Sequence, residues 1–493
     1  MYKPDLDVIR SLAEEYPMIP VSKTISSETR DPVDAFRRLK NLSRQCFILE
    51  SVEHTAQRGR YTFLGYDPKL EIACLDGLLT IKNGTEIRIE TGDPGSYISR
   101  IIQENKSPRL PDLPPFAGGL VGYFSYDYIA YSEPGLVLSG ADQEFFKDLD
   151  LMLFDKVIAY DHLKGTLTLI VNVKTDALEE NYNRALSELE HIAGILENGK
   201  PADIQPLRFR SSFRALFDKE RYCAMVRRAK EYIREGDIFQ VVLSNRLEAD
   251  VEGSLFDAYR LLRKLNPSPY MFYFSSEHIE IAGASPETLV RLQDGRLFTF
   301  PLAGTRPRGK DPAEDAALER ELLSDPKESA EHTMLVDLGR NDLGKISEFS
   351  SVKVEQYRSV ERFSHVMHIG SRVSGQIQKG KTAVDAINAV LPAGTLSGAP
   401  KVRACEIISE LENNKRGIYG GAVGYLAFTG DMDTCISIRI AYKKNGKVFV
   451  RSGAGIVADS VPELEYQECV NKMQAVINAL ERAAQGGEHD IAY

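Results

Sequence analysis

Four short turn signals constrain how this chain can fold. Asn83-Gly84, Lys164-Gly165, Asp294-Gly295 and Asn445-Gly446 each lie between runs of apolar or alternating residues. Two-residue turns of this kind use positive φ, which glycine and asparagine tolerate, and they join neighbouring strands as hairpins. Hairpins imply antiparallel pairing, so the chain reads as α+β rather than as a parallel doubly wound sheet. Ile81 to Ile89 alternates about the first turn. Leu151 to Asp161 and Leu167 to Val173 read as a strand pair about the second, and Cys46-Phe47-Ile48-Leu49 reads as a further short strand.

Helix signals punctuate these strands. Asp218 is placed to cap a helix whose apolar stripe is Tyr222, Met225, Val226, Ala229 and Ile233, with Gly236 ending it. Ile238 to Leu247 follows as a strand. Residues 176–195 have helical periodicity, and the polar, proline-containing stretch after them reads as a linker. The expected organisation is an N-terminal domain over 1–200, a linker over 201–216, a catalytic domain over 217–483 and a tail over 484–493.

Composition excludes several classes. The net charge is −10, from 61 Lys and Arg against 71 Asp and Glu, with no dense basic run. Neither nucleic acid nor an anionic membrane surface is an expected partner. No stretch approaches 18 uninterrupted apolar residues, and the first residues lack the apolar core of a signal peptide. Six scattered cysteines with no C-x-x-C pair read as reduced thiols, so a cytoplasmic protein is expected.

Gly375-Gln-Ile-Gln-Lys-Gly380-Lys381-Thr382 matches the phosphate-loop pattern, but its context does not. A phosphate loop follows a buried strand and opens directly into a helix. Here a strand pattern from Arg372 runs through the first glycine. Lys379-Gly380-Lys381 then reads as a tight turn, with Thr382 and Asp385 as the cap of the next helix. The match is read as coincidence.

The spacing of acidic residues is more informative. Asp325-Pro326 opens a helix on which Glu328, Glu331 and Leu335 share a face beside His332, and Glu328 is placed to complete a capping box with Asp325. A second helix starting near Ser460-Val461-Pro462 puts Glu465, Glu468 and Lys472 on one face. Two such helices can hold one magnesium ion, which takes few protein ligands; by spacing alone they are equally two solvated, salt-bridged helices. Gly453-Ala454-Gly455 offers unscreened backbone amides to an anion, or is an ordinary turn. Arg439, in Ile436-Ser437-Ile438-Arg439-Ile440, reads as a strand arginine able to grip a carboxylate, or as an exposed charge.

Taken together and in order, these segments carry a resemblance. Pro301 to Pro307 (PLAGTRP), Glu331 to Leu338, Arg340-Asn341-Asp342, Pro392 to Lys401, Tyr419-Gly420-Gly421, Ser452 to Ile456 and Glu468 are similar to the chorismate-binding enzymes over roughly 217–483. Ala303 in the Ala-Gly-Thr segment resembles the large, synthase subunits of anthranilate synthases. Relatives with a lysine there add water or work through that lysine. Alanine suits ammonia, which is already a good nucleophile. Ile48-Leu49-Glu50-Ser51 and Pro269-Tyr270-Met271 are similar to the segments that form the family's tryptophan site.

The resemblance implies two antiparallel sheets packed as a sandwich with outer helices. It implies conversion of chorismate and ammonia to anthranilate and pyruvate, a lyase reaction that opens tryptophan biosynthesis. Magnesium would be held by Glu331 and Glu468. Glu328 would be the acid for the departing hydroxyl, with His368 tied to pyruvate elimination and Thr305 a further catalytic residue. Gly304, Thr305, Tyr419, Arg439, Gly453, Ala454, Gly455 and Lys472 would bind substrate. Glu50, Ser51, Pro269, Tyr270 and Met271 would bind L-tryptophan as feedback inhibitor. His365 lies close to His368 but is not implied. No G-x-C-x-G segment of a glutamine amidotransferase occurs. A separate glutaminase subunit supplying ammonia is therefore implied, in a heterotetramer of two synthase and two glutaminase chains. The nearest alternative is the synthase component that makes aminodeoxychorismate, followed by an isochorismate-type enzyme and a non-catalytic tryptophan sensor.

Overall fold

The computed structural model describes residues 2–27, 31–51, 59–142, 144–363 and 366–486; His365 and the last seven residues of the expected tail lie outside them. The hairpins form as the turn signals predict. Asp294 and Gly295 have φ of 52° and 74°, and Asn445 and Gly446 have 52° and 73°. Two consecutive left-handed residues match the twist of the strands they join. Among the described residues every strand ladder is antiparallel, and the one parallel contact is an isolated bridge between Ala141 and Asn414.

These ladders build two sheets, of fourteen and twelve strands. The strands that frame the site are β1 (Cys46–Glu50), β2 (Gln240–Glu252), β3 (Tyr270–Ser275), β4 (Glu280–Ser285), β5 (Thr288–Gln293), β6 (Leu302–Pro307), β7 (Val366–Gln376), β8 (Met432–Ile436), β9 (Ile440–Lys444) and β10 (Lys447–Ile456). In the larger sheet β1 pairs with β3, and the order continues through β4, β9 and β10 to β2. In the smaller sheet the order runs from β6 and β7 through Arg296–Thr299 to β5 and β8, then through Ala422–Ala427 to strands from residues 70–154. Both sheets therefore take strands from either side of residues 201–216. That stretch lies along β2, to which Arg208–Phe209 and Arg214–Ala215 pair, with Leu207 fully buried.

An aromatic layer fills the space between the sheets. Phe47 of the larger sheet meets Phe154 of the smaller edge-on at 4.7 Å, and Phe116 meets Tyr425 at 4.5 Å. Such rings contribute by buried area, about 1.5–3 kcal/mol each, with roughly another 0.5–1.5 kcal/mol per favourable pair. Helices cover the outer faces over two further apolar clusters.

Two local expectations need correction. Leu151 to Asp161 is not one strand: Leu149–Phe154 belongs to the smaller sheet and Lys156–Asp161 to the larger. The chain crosses at Asp155, whose carbonyl accepts hydrogen bonds from both the backbone and the side chain of Asn172. The helix α1 (Pro326–Gly344) is capped by Asp325 but has no capping box. Asp325 also ends the preceding helix, so its N–H donates to Leu322 O, and the Glu328 carboxylate is left to face the site.

The phosphate-loop match dissolves as expected. β7 runs through Gly375, Gly380 turns with φ of 85°, and Thr382 with Asp385 forms a reciprocal capping box on the helix Ala383–Val390.

Candidate active site

Glycine makes the floor of the site. β9 pairs with β10 only as far as Val450, so beyond it β2 is the strand partner of β10. A Cβ at Gly455 would lie 2.7 Å from Gln240 Nε2, and one at Gly453 would lie 3.1 Å from Tyr419 Oη. Only glycine leaves that face open between Gln240 and Tyr419. Ala454, on the opposite face, is fully buried in the helix-backed core, so it offers the site backbone alone. Lys472 Nζ donates to Gly453 O at 3.2 Å.

Arg439 does not lie on a strand. It sits in the three-residue connection between β8 and β9, with φ of 52°. The alternation of Ile436 to Ile440 imitates a strand, but the chain is crossing between sheets there. A left-handed non-glycine residue is uncommon and worth a functional question. The guanidinium is mostly buried and makes no hydrogen bond or ion pair among the described residues. Burial pulls its pKa down, and Glu287 opposes that.

Gly304 and His368 form one unit. β6 slips register against β7 between Ala303 and Arg306, and Gly304 takes φ of 65° there. Its carbonyl oxygen lies 2.7 Å from His368 Nδ1, with Thr305 Oγ1 at 3.1 Å. A carbonyl only accepts, so Nδ1 carries the hydrogen and Nε2 keeps the lone pair. Burial lowers the His368 pKa, with a further push from Arg439, so the ring is neutral at pH 7. The other side of Gly304 is filled: a Cβ would meet Leu322 at 2.8 Å and Glu328 Oε2 at 3.1 Å.

Carboxylates gather on the helices. Burial raises the pKa of Glu331, and Glu328 and Glu468 add to it. Glu328 is raised by burial and Asp325, and Glu465 by burial and Glu468. Glu468, on α2 (Pro462–Ala484), pairs with Lys472 at 2.7 Å. Among the described residues no three His, Cys, Asp or Glu side chains converge as a ready metal cluster. A magnesium ion takes few protein ligands and leaves positions for substrate and water.

The segments near Ser51 and Tyr270 meet elsewhere, in a cavity of about 350 Å³ between the sheets. Leu49, Ser51, Pro269, Tyr270 and Met271 line it, with Arg291 and Asp433 across from them. Ser51 Oγ is buried and has no hydrogen-bond partner among the described residues. Glu50 borders the cavity but sends its carboxylate to Arg263, 2.8 Å away, and to the Tyr259 hydroxyl.

Two residues of the site escaped sequence reasoning. Glu287, just after β4, faces Thr395 at 3.3 Å with Arg439 and Lys472 nearby, and burial pushes its pKa up to about 8. Its signal was the proline before it, which marks a strand end. Gln240 is 4% exposed, its amide against Gly455 and its Oε1 without a partner. Nothing local distinguishes it from any strand glutamine.

Glycines, an arginine without a hydrogen-bond partner among the described residues, a histidine and crowded carboxylates are groups suited to a small anionic substrate. The family model described as chorismate binding enzyme matches residues 26–478, and the chain belongs to that family. Within it, the chain is 46% identical to anthranilate synthase component 1 of Acetivibrio thermocellus, over 98% of this chain and all of that one. Against the same component of Thermus thermophilus it is 45% identical, covering 95% and 99%. The crystal structure of anthranilate synthase component I from Streptococcus pneumoniae TIGR4 superposes with a TM-score of 0.73 at 40% identity, over 92% of this chain and 98% of that one. The menaquinone-specific isochorismate synthase MenF of Escherichia coli, 22% identical with a TM-score of 0.69 and coverage of 96% and 98%, shares the fold.

Proposed function

We propose that this chain is the synthase subunit of an anthranilate synthase. It converts chorismate and ammonia to anthranilate and pyruvate in the first committed step of tryptophan biosynthesis. The observation that carries the reading is Arg439: a mostly buried cation without a hydrogen-bond partner among the described residues, held in a left-handed turn with Glu287 as its neighbouring charge. Chorismate carries two carboxylates; in this reading Arg439 would answer one, and a magnesium ion held by Glu331 and Glu468 would answer the other.

In this reading Arg439, Tyr419 and the amides at Gly453 and Gly455 hold the enolpyruvyl carboxylate, with Lys472 beside them. Glu331 and Glu468 would hold magnesium. The ion, when bound, stabilises negative charge on the ring carboxylate as a Lewis acid. Gly304 and Thr305 line the ring. Ammonia adds at C2 as the C4 hydroxyl leaves, and that hydroxyl needs a proton. Two carboxyls stand ready to give it, Glu328 and Glu287; Glu287 is favoured because its raised pKa keeps it protonated at pH 7. Gln240 Oε1, an acceptor left over in the wall, suits the N–H of incoming ammonia. His368 Nε2 then takes the C2 proton as the C3–O bond breaks, the ring becomes aromatic and pyruvate leaves.

The purified chain with chorismate, magnesium and an ammonium salt should form anthranilate and pyruvate together, and glutamine should not replace ammonium. Anthranilate fluorescence and a pyruvate assay check both. Chorismate consumed without pyruvate would move the assignment to the aminodeoxychorismate or isochorismate reaction. The relatives are named as component 1, which fits a second, glutaminase component that supplies ammonia.

The inter-sheet cavity is proposed as the tryptophan site. Its volume lies in the range of small-molecule pockets, about 300–1,000 Å³, and its wall pairs apolar surface with Ser51, Arg291 and Asp433. Replacing Ser51 by phenylalanine should raise the tryptophan concentration for half-inhibition about tenfold or more, equivalent to roughly 1.4 kcal/mol. Inhibition curves unchanged by the substitution would remove tryptophan from this cavity.

A further inference from the structure

The inter-sheet cavity and the proton-donating end of the active site share a wall one strand thick. Pro286 and Thr288 line the cavity, while Glu287 between them turns its carboxyl the other way, toward Thr395. Thr288 also lines a small cleft of about 40 Å³ beside Glu287. Its hydroxyl lies 2.8 Å from Tyr270 Oη, and Tyr270 donates to Asp433 Oδ1 at 2.8 Å. The one hydrogen of Tyr270 goes to that carboxylate, so Thr288 is the donor to Tyr270. Tyr270 belongs to β3 of the larger sheet and Thr288 to β5 of the smaller, so this hydroxyl pair ties the two sheets together.

The tie ends on groups that a bound amino acid would claim. Asp433 is held by Arg291 Nε at 3.0 Å, and both residues line the cavity. An α-ammonium suits Asp433 and an α-carboxylate suits Arg291. Occupying the cavity with an amino acid therefore redistributes the pair on which Tyr270 is anchored. On the far side the ladder is irregular. Thr288 stands opposite Cys435, but the register slips before Val290 reaches Thr434, and the Glu287 carbonyl accepts from Ile436 N–H at 2.9 Å. A slipped rung is a local place where a ladder bends.

We propose that Thr288 is a positioning residue whose hydroxyl, held by Tyr270 across the sheets, sets where Glu287 stands. An amino acid in the cavity draws Tyr270 off Thr288 and withdraws Glu287 from the substrate. The relay rests on the reading of the cavity as the tryptophan site, and its test separates the two.

Calorimetric titration of the full chain, with magnesium and without ammonia, gives the tryptophan affinity with and without saturating chorismate. The ratio of the two is the coupling, and by linkage it is the same seen from either ligand. In the unaltered chain the ratio should be about tenfold or more. Thr288→Val, which keeps the shape and removes the hydroxyl, should bring it below about threefold, with tryptophan still bound. Thr288→Ser, which keeps the hydroxyl, should keep the coupling. Full coupling in Thr288→Val, or its loss in Thr288→Ser as well, overturns the relay and leaves the tryptophan site standing. An unaltered chain that does not bind tryptophan overturns both.

Discussion

Glu287→Gln should slow anthranilate formation by about 10²- to 10⁴-fold, the usual contribution of a positioned acid. It should also remove the alkaline limb of the pH profile. The acid works only when protonated. Burial pushes the carboxyl up to about 8, against the opposing pull of Thr395, Arg439 and Lys472. In the unaltered enzyme kcat/KM, expressed per free ammonia, should therefore fall as pH rises through about 8. Two substrate carboxylates add negative charge nearby, so the limb seen in kcat should lie at higher pH than the limb in kcat/KM. Glutamine does not titrate, and the residual rate should be flat across that range. Glu328→Gln is the control. Should it cost more than Glu287→Gln and carry the limb away instead, the proton comes from the helix side.

Glu331→Ala should lose on the order of 3 kcal/mol or more of transition-state stabilisation, about 150-fold or more in kcat/KM. Burial, Glu328 and Glu468 all disfavour the charged form of Glu331, a cost that a divalent cation would reverse. Removing it should weaken magnesium binding, measured by calorimetry in the presence of chorismate, and move the magnesium dependence of the rate to higher concentration. A variant with the parent's rate and magnesium dependence would sink the assignment. Glu468→Ala should behave alike, with an additional effect through Lys472, to which Glu468 is paired.

Much of the scaffold was legible because its signals are local. Asp294-Gly295 and Asn445-Gly446 have one comfortable geometry, and they adopt it. Asp218 and Gly236 bound their helix as composition predicts, the cap accepting from Arg221 N–H and the glycine turning left-handed. The misreadings arise where distant residues decide. Arg439 sits in a pattern indistinguishable from a strand, and only the crossing between sheets turns it left-handed. Asp155 breaks an apolar run because Asn172 captures its carbonyl from the neighbouring strand. The partner of Glu50 is Arg263, far along the chain, so no window of sequence shows which way that carboxylate turns. Glu287 was missed for a related reason: its chemistry comes from Thr395, Arg439 and Lys472, which no spacing rule connects to it.

The pairing of β1 with β3 bears on how the molecule is made. Phe272 lies opposite Leu49, so the strand ending at Glu50, which meets Tyr61–Tyr66 early on one edge, gains the neighbour on its other edge only after more than two hundred further residues have been synthesised. At typical ribosomal speeds that is on the order of ten seconds or more. Throughout that interval Phe47 and the unpaired edge of its strand stand open to other chains. The smaller sheet has the same difficulty, since Gly119–Phe124 waits for Ala422–Ala427. A chain woven in this way completes neither sheet until its last strands emerge, so its yield in a cell depends on how well the early strands are shielded while they wait.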